Sequence, residues 1–198
     1  MLTRNTKKQL KIQKKMKPNK FTFFWSNASP FSNWHKCYFK ENEIEFNCSE
    51  QYMMYHKAKL FGDDEIAQKV LNTKDAREHK ALGRQVKNFD PVKWNSVAKD
   101  IVYKGCRLKF EQNVDLMVKL LDTKGTTLVE ASPYDKVWGI GMAESDPRAD
   151  DVTQWQGTNW LGEVLTILRD NTFSNAGILE TQGPLYGNSE IAQWYNSL

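Results

Sequence analysis

Asp90-Pro91-Val92-Lys93-Trp94-Asn95-Ser96-Val97-Ala98-Lys99-Asp100-Ile101-Val102-Tyr103-Lys104-Gly105-Cys106-Arg107-Leu108 is the stretch on which the architecture turns. An aspartate before a proline marks a helix start. The carboxylate accepts from N–H groups that no earlier turn can satisfy, and proline at the first helical position gives up an N–H that would be unbonded anyway. From there Trp94, Val97, Ala98, Ile101, Val102, Gly105 and Leu108 recur at spacings of three and four, the buried stripe of a long helix. Such a stripe must be covered by other elements, so the neighbouring sequence has to supply them.

Downstream, Leu116 to Leu121 continues helical until Gly125, and Thr126 to Ala131 reads as a strand. Ser132-Pro133-Tyr134-Asp135 is a turn-rich loop, and residues 139 to 159 form a long irregular segment. Trp160 to Asn171, with Leu161, Val164, Leu165 and Leu168 on one side, is a final core helix, and a short helix is expected near Glu190 to Tyr195. Upstream, Asp75 to Lys87 is expected to be helical, with Gly83 weakening it. Asp63 and Asp64 open a short helix carrying Ile66, Val70 and Leu71. Ser49 is the expected N-cap of a helix running to about Phe61. Cys37-Tyr38-Phe39 and Ile44-Glu45-Phe46 flank a polar turn, as a hairpin does, and Phe21 to Trp25 is a strand by its aromatic content. Helices dominate around a few short strands in no βαβ alternation, so the fold class is α+β, one mainly helical domain.

Composition narrows the functional classes. At 198 residues, 40% of them hydrophobic and 12% aromatic, the chain can bury one sizeable core. No run of apolar residues reaches membrane-spanning length, and the N-terminus lacks a secretory h-region. The odd set Cys37, Cys48 and Cys106 has no CxxC pair, so a reduced, cytoplasmic setting is expected. The net charge of +4 is unevenly placed. Arg4, Lys7, Lys8, Lys11, Lys14, Lys15, Lys17 and Lys20 form a basic, flexible-looking arm over residues 1–20, without a single acid. The remaining residues are mildly acidic in balance. An arm of this kind can contact nucleic acid or other polyanions, although a merely solvated terminus reads the same way.

Chemistry-bearing residues cluster at the first helix. Glu50 and Lys57 lie two turns apart and share a face. Glu50 stands at the helix start, where free N–H groups favour an ionised carboxylate; on these grounds alone a capping role is equally compatible. Seven tryptophans are more than packing requires, and several stand beside turns. Aromatic faces in such places can sandwich a planar heterocycle. Both Ser26 to Asn33 and the segment 139 to 159 are expected to be walls of a site. His35, His56 and His79 have no metal-ligand spacing, and no P-loop, GxGxxG or GxSxG is present, so neither metal nor cofactor is expected. A Cys48–His56 pair would lack a third, orienting group.

Four blocks, in order, resemble one family. They are Phe31-Ser32-Asn33 with Ser49-Glu50-Gln51-Tyr52 and Lys57; Ala81-Leu82-Gly83-Arg84 with Trp94 and Leu108-Lys109-Phe110-Glu111-Gln112-Asn113; Leu128-Val129-Glu130-Ala131 with Asp135-Lys136-Val137-Trp138-Gly139-Ile140-Gly141; and Gly157-Thr158-Asn159-Trp160-Leu161-Gly162 with Leu165 and Arg169. Together they are similar to the NADAR (YbiA-like) N-glycosidases over residues 21–171, leaving 172–198 as a C-terminal extension. Trp160 departs from the leucine common in relatives. The resemblance implies hydrolysis of a ribose C1–nitrogen bond by a cofactor-free enzyme. The substrate would be ADP-ribose on guanine in nucleic acid or a phosphorylated riboflavin-pathway intermediate; the alternative is a module that binds ADP-ribose-like ligands without cleaving them. It implies Glu50, Lys57 and Asp135 as catalytic residues, and Asn33, Tyr52, Arg84, Trp94, Trp138, Gly139 and Asn159 as substrate contacts. Arg84 would meet phosphate, and Asn159 would orient ribose or base.

Overall fold

The computed structural model describes residues 20–182, and side chains as far as Thr172. The basic arm before residue 20 and the helix expected near Glu190 to Tyr195 lie outside the described residues. Strand β1 (Phe21–Phe24) is followed by β2 (Phe39–Glu41) and β3 (Ile44–Phe46), then helices α1 (Ser49–Leu60), α2 (Asp64–Asn72), α3 (Ala76–Gly83), α4 (Pro91–Glu111) and α5 (Val114–Leu121). Strand β4 (Thr127–Glu130), a single 3-10 turn (Val152–Gln154) and α6 (Trp160–Gln182) complete it. The α+β arrangement expected from the sequence is the one observed.

Helix α4 begins as its sequence dictates: Asp90 Oδ1 accepts from the backbone N–H of Val92 at 2.8 Å and of Lys93 at 3.2 Å. Its buried face carries Trp94, Ala98, Val102, Gly105, Cys106 and Phe110, against which α1 and α6 pack. Gly105 is there for closeness. A Cβ at that position would stand 2.5 Å from Cδ1 of the Tyr52 ring, which therefore seats directly on the α4 backbone. Tyr52 also meets Phe46 edge-on at 5.0 Å and Phe39 at 5.9 Å, so the β2–β3 hairpin closes one end of the core.

The strands form two separate pairs. β2 and β3 are antiparallel, with Phe39 opposite Phe46 and Asn42 (φ 51°) in the turn. β1 and β4 are parallel, with Phe21 opposite Thr127 and Phe24 opposite Glu130. Helix α6 covers β4, and a smaller cluster of Phe21, Val129, Ala131, Ile140, Met142 and Ala149 fills the other face.

Several boundaries differ from the sequence expectation. Cys48, not Ser49, occupies the N-cap of α1, in extended backbone and without a side-chain cap; Ser49 is already helical. Helix α3 ends at Gly83, short of Lys87, and the chain then turns away to bond Lys87 N–H to Asp63 Oδ2 at 2.9 Å. Helix α6 runs past Asn171, anchored where buried Arg169 donates to the carbonyls of Thr123 (2.8 Å) and Thr126 (2.7 Å). Among the described residues no helix is long and apolar enough to cross a membrane.

Candidate active site

A cleft of about 660 Å³ opens between α1, α3, the start of α4 and the C-terminal end of β4. Its floor is Glu50, only 4% exposed. The backbone N–H of Glu50 is one of the free donors of the first turn and is used by Asn33, whose carbonyl accepts it at 2.9 Å. That places Asn33 and the Trp34 indole beside the carboxyl, and Trp34 hydrogen-bonds it. The loop carrying both is held from the core side by Lys109, fully buried on α4, which donates to the Ser32 carbonyl at 3.0 Å.

The helix start favours an ionised Glu50; burial opposes that. Loss of water pushes its carboxyl up to about 7 and the negative charge of Asp135 adds to the rise, against the pull of Lys80, the Trp34 hydrogen bond and Arg84. Glu130, the last residue of β4, is only half-buried as a residue. Its Oε2, however, is closed to solvent and has no hydrogen-bond partner among the described residues. Burial, with Asp135 and Glu50 adding to it and Lys80 opposing, pushes its carboxyl up to about 8.

Lys57 lies on the same face as Glu50. Its Nζ donates to the Gly83 carbonyl at 2.7 Å and stands 4.1 Å from the Phe89 ring centroid. Gly83 lets α3 come this near: a Cβ there would meet Met54 Sδ at 1.9 Å. Burial lowers the Lys57 pKa, Glu50 raises it back and Arg84 lowers it again. Asp135 opens a tight turn, its Oδ1 accepting from the N–H groups of Val137 (3.0 Å) and Trp138 (2.8 Å), and its Oδ2 faces Lys80 Nζ at 3.4 Å.

Of the residues expected at the site, Glu50, Lys57, Asp135, Asn33, Arg84, Trp94 and Trp138 all line this one cleft. Tyr52, Gly139 and Asn159 do not, and each has a structural reason. Tyr52 is 1% exposed under α4, so it belongs to the core. Gly139 packs against main chain, where a Cβ would lie 2.8 Å from the Glu130 carbonyl oxygen. Asn159 (φ 54°) accepts from Glu130 N–H at 2.9 Å and donates to the Leu128 carbonyl at 3.0 Å, so it orients Glu130 and not a sugar. Residues 139–159 likewise stand behind the wall, laced to it by Ile140 N–H to the Glu130 carbonyl and Gln156 N–H to the Ile140 carbonyl, each 2.9 Å.

The cleft also contains groups that the sequence reading did not single out as site residues. Arg77 and Lys80 join Arg84 along α3 at spacings of three and four, which makes one basic face. Trp25, Trp34 and Tyr134 add aromatic surface, with Trp25 and Tyr134 rings 6.2 Å apart and both exposed. Trp160, at the departure from the family pattern, sits behind Trp138 and meets it edge-on at 5.5 Å. The helical spacing of the α3 cations was visible in the sequence. Glu130 stood in one of the four family blocks without being assigned a role there.

Other chemistry is poorly served. Cys48 Sγ lies 3.6 Å from His79 Nδ1, not beside His56, and burial pushes its thiol up to about 12, far from a thiolate. His56 instead meets Glu41 at 2.8 Å. Among the described residues no cluster of three His, Cys, Asp or Glu could hold a metal ion. What the cleft does combine is buried carboxyls, an amine, a basic face and aromatic walls.

Comparison with known proteins gives a consistent picture. A family model described as the NADAR domain matches residues 23–172. The chain is 42% identical over 166 residues to N-glycosidase R617 of Acanthamoeba polyphaga mimivirus, covering 78% of this chain and 98% of that protein. It is 40% identical over 170 residues to protein irg-1 of Caenorhabditis elegans, covering 78% and 80% respectively. The NMR structure of the E. coli protein YbiA has a similar fold, with a TM-score of 0.66 at 24% identity, over 87% of this chain and 94% of that one.

Proposed function

Because the chain belongs to the NADAR domain family, we propose that it is an N-glycosidase that uses water to cleave a bond between ribose C1 and nitrogen. The observation that carries this reading is the convergence of Glu50, Lys57 and Asp135 on one cleft with aromatic walls. Breaking a C1–N bond builds positive charge on the sugar and negative charge on the departing base. Ionised carboxylate at Glu50 or Asp135 offsets the first and activates water or holds a ribose hydroxyl. Lys57 then acts in one of two ways: as a cation beside the leaving base, or as a neutral amine that attacks C1 and forms a Schiff base with the opened sugar. Burial moves its pKa in the direction the amine route needs, and Glu50 opposes that shift.

The basic face of Arg77, Lys80 and Arg84 suits a phosphorylated sugar. Both a phosphorylated ribosylaminopyrimidine and ADP-ribose on guanine in nucleic acid carry that group. The arm over residues 1–20 favours the nucleic-acid adduct, since phosphate contacts are electrostatic and independent of sequence. Offering both substrates side by side and following free base by mass spectrometry tests the reading. Release of base from at least one is expected; intact substrate in both, with ligand bound, would return the chain to a binding module. Borohydride added during turnover is expected to leave the sugar on Lys57, and an active enzyme without any adduct would assign Lys57 the cationic role.

A further inference from the structure

Glu130 has no task in the chemistry assigned to Glu50, Lys57 and Asp135, yet its position is heavily determined. Its N–H is held by Asn159 at 2.9 Å, and its carbonyl accepts from Ile140 at 2.9 Å. Its side chain reaches the same cleft as those three residues. A fold does not gain stability by sealing a carboxyl oxygen from water without a hydrogen-bond partner. Protonation lowers the cost of doing so, because a neutral carboxyl is much cheaper to bury than a carboxylate. We propose that Glu130 is the proton donor to the departing nitrogen, working as an acid opposite the ionised Glu50.

This inference rests on the glycosidase reading. The C1–N bond breaks with its electron pair on nitrogen, and the Glu130 proton moves to that nitrogen. Water oxygen bonds to C1 and its proton passes to Glu50 carboxylate; return of one proton from Glu50 to Glu130 restores the enzyme. If Lys57 attacks first, the proton delivered to nitrogen is the same. The groups facing Glu130 are Glu50 from α1, Lys80 from α3 and Asp135 from the loop after β4, and Lys57 and Arg84 line the same cleft. Burial, with Asp135 and Glu50 adding to it, favours the proton on Glu130, and Lys80 opposes them. Two carboxyls in one buried site tend to lose their protons in separate steps, which is what an acid–base pair needs.

The test compares Glu130→Gln with the parent on two riboside 5-phosphates. One carries an aminopyrimidine at C1, which cannot leave without a proton; the other carries 4-nitrophenolate, which can. Glu130→Gln is expected to lower kcat about 10²–10⁴-fold on the first and much less on the second. It should also abolish the fall in rate on the alkaline side. Equal losses on both substrates, or an unchanged alkaline limb, would overturn the proposal. Glu130→Asp, which keeps the acid, should retain part of the rate on the aminopyrimidine. An independent readout is the infrared carbonyl band of a protonated carboxyl at neutral pH, expected to weaken in Glu130→Gln, and its persistence unchanged counts against the assignment. A parent protein inactive on every C1–N substrate would instead bring down the glycosidase reading, and this inference with it.

Discussion

Glu50→Gln is expected to lower kcat by about 10²–10⁴-fold and to erase the acid limb of the pH–rate profile. The amide keeps the shape of the side chain and can still meet Trp34, so the floor of the cleft survives while the base is removed. The sign of the pH dependence comes from the two carboxyls. Glu50 must be ionised to take a proton, so the rate should rise as pH climbs through about 7. Glu130 must be protonated to give one, so the rate should fall above about 8. A bell with a narrow top is the expected profile, its apparent pKa values belonging to the coupled pair.

Stability should move in the opposite direction from activity. A carboxyl whose folded-state pKa is raised binds its proton more tightly in the folded state than in the unfolded one. Its contribution is fully present below the ordinary value of 4.5 and is lost as pH rises through about 7. Glu50→Gln is therefore expected to melt at or above the parent's temperature at pH 8, with far less activity. Loss of both together would make Glu50 a structural residue; kcat/KM against pH and melting curves on one preparation separate the cases.

Gly162→Ala is expected to damage fold and site at once. A Cβ there would stand 2.1 Å from the Leu128 carbonyl oxygen and 2.5 Å from both Asn159 side-chain heteroatoms. None of these is the free end of a flexible chain. Leu128 O lies in β4, and Asn159 is tied to two points of that strand. Helix α6 must move away, at a cost of about 2–3 kcal/mol, a fall of roughly 4–12 °C in Tm for a chain of this size. Because Asn159 holds Glu130, kcat should fall too. An unchanged melting temperature would show that α6 can shift without loss.

How far the sequence could be read depended on the range of the interactions. Helix α4 was legible because Asp90, Pro91 and its apolar stripe act over a few residues. The family blocks located Glu50, Lys57 and Asp135, which meet in one cleft. What local pattern cannot carry is burial. Glu50 at a helix start looks ionised until the loop around Trp34 closes over it. Tyr52 looks like a site aromatic until Gly105 brings α4 down on its ring. Asn159 looks like a ligand contact until α6 turns its amide onto β4. Glu130 stood in a family block without a role for the same reason: the partnerless oxygen exists only once strand, loop and helices are assembled.

The parallel pairing of β1 with β4 has a kinetic consequence. Thr22 and Thr126, whose hydroxyls meet at 2.6 Å, are 104 residues apart in the chain. Parallel strands cannot be zipped from a turn, and joining such distant segments must first overcome loop-closure entropy. Helices α1 to α5 can collapse on one another from largely local contacts, but β4 gains its partner only when the first strand of the described chain is drawn back across them. The end of β4 is where Glu130 sits, and its clamp, Asn159, is translated later still. During synthesis the scaffold for Glu50 and Lys57 can thus form early, while the proton-donating half of the site waits for almost the whole domain to emerge.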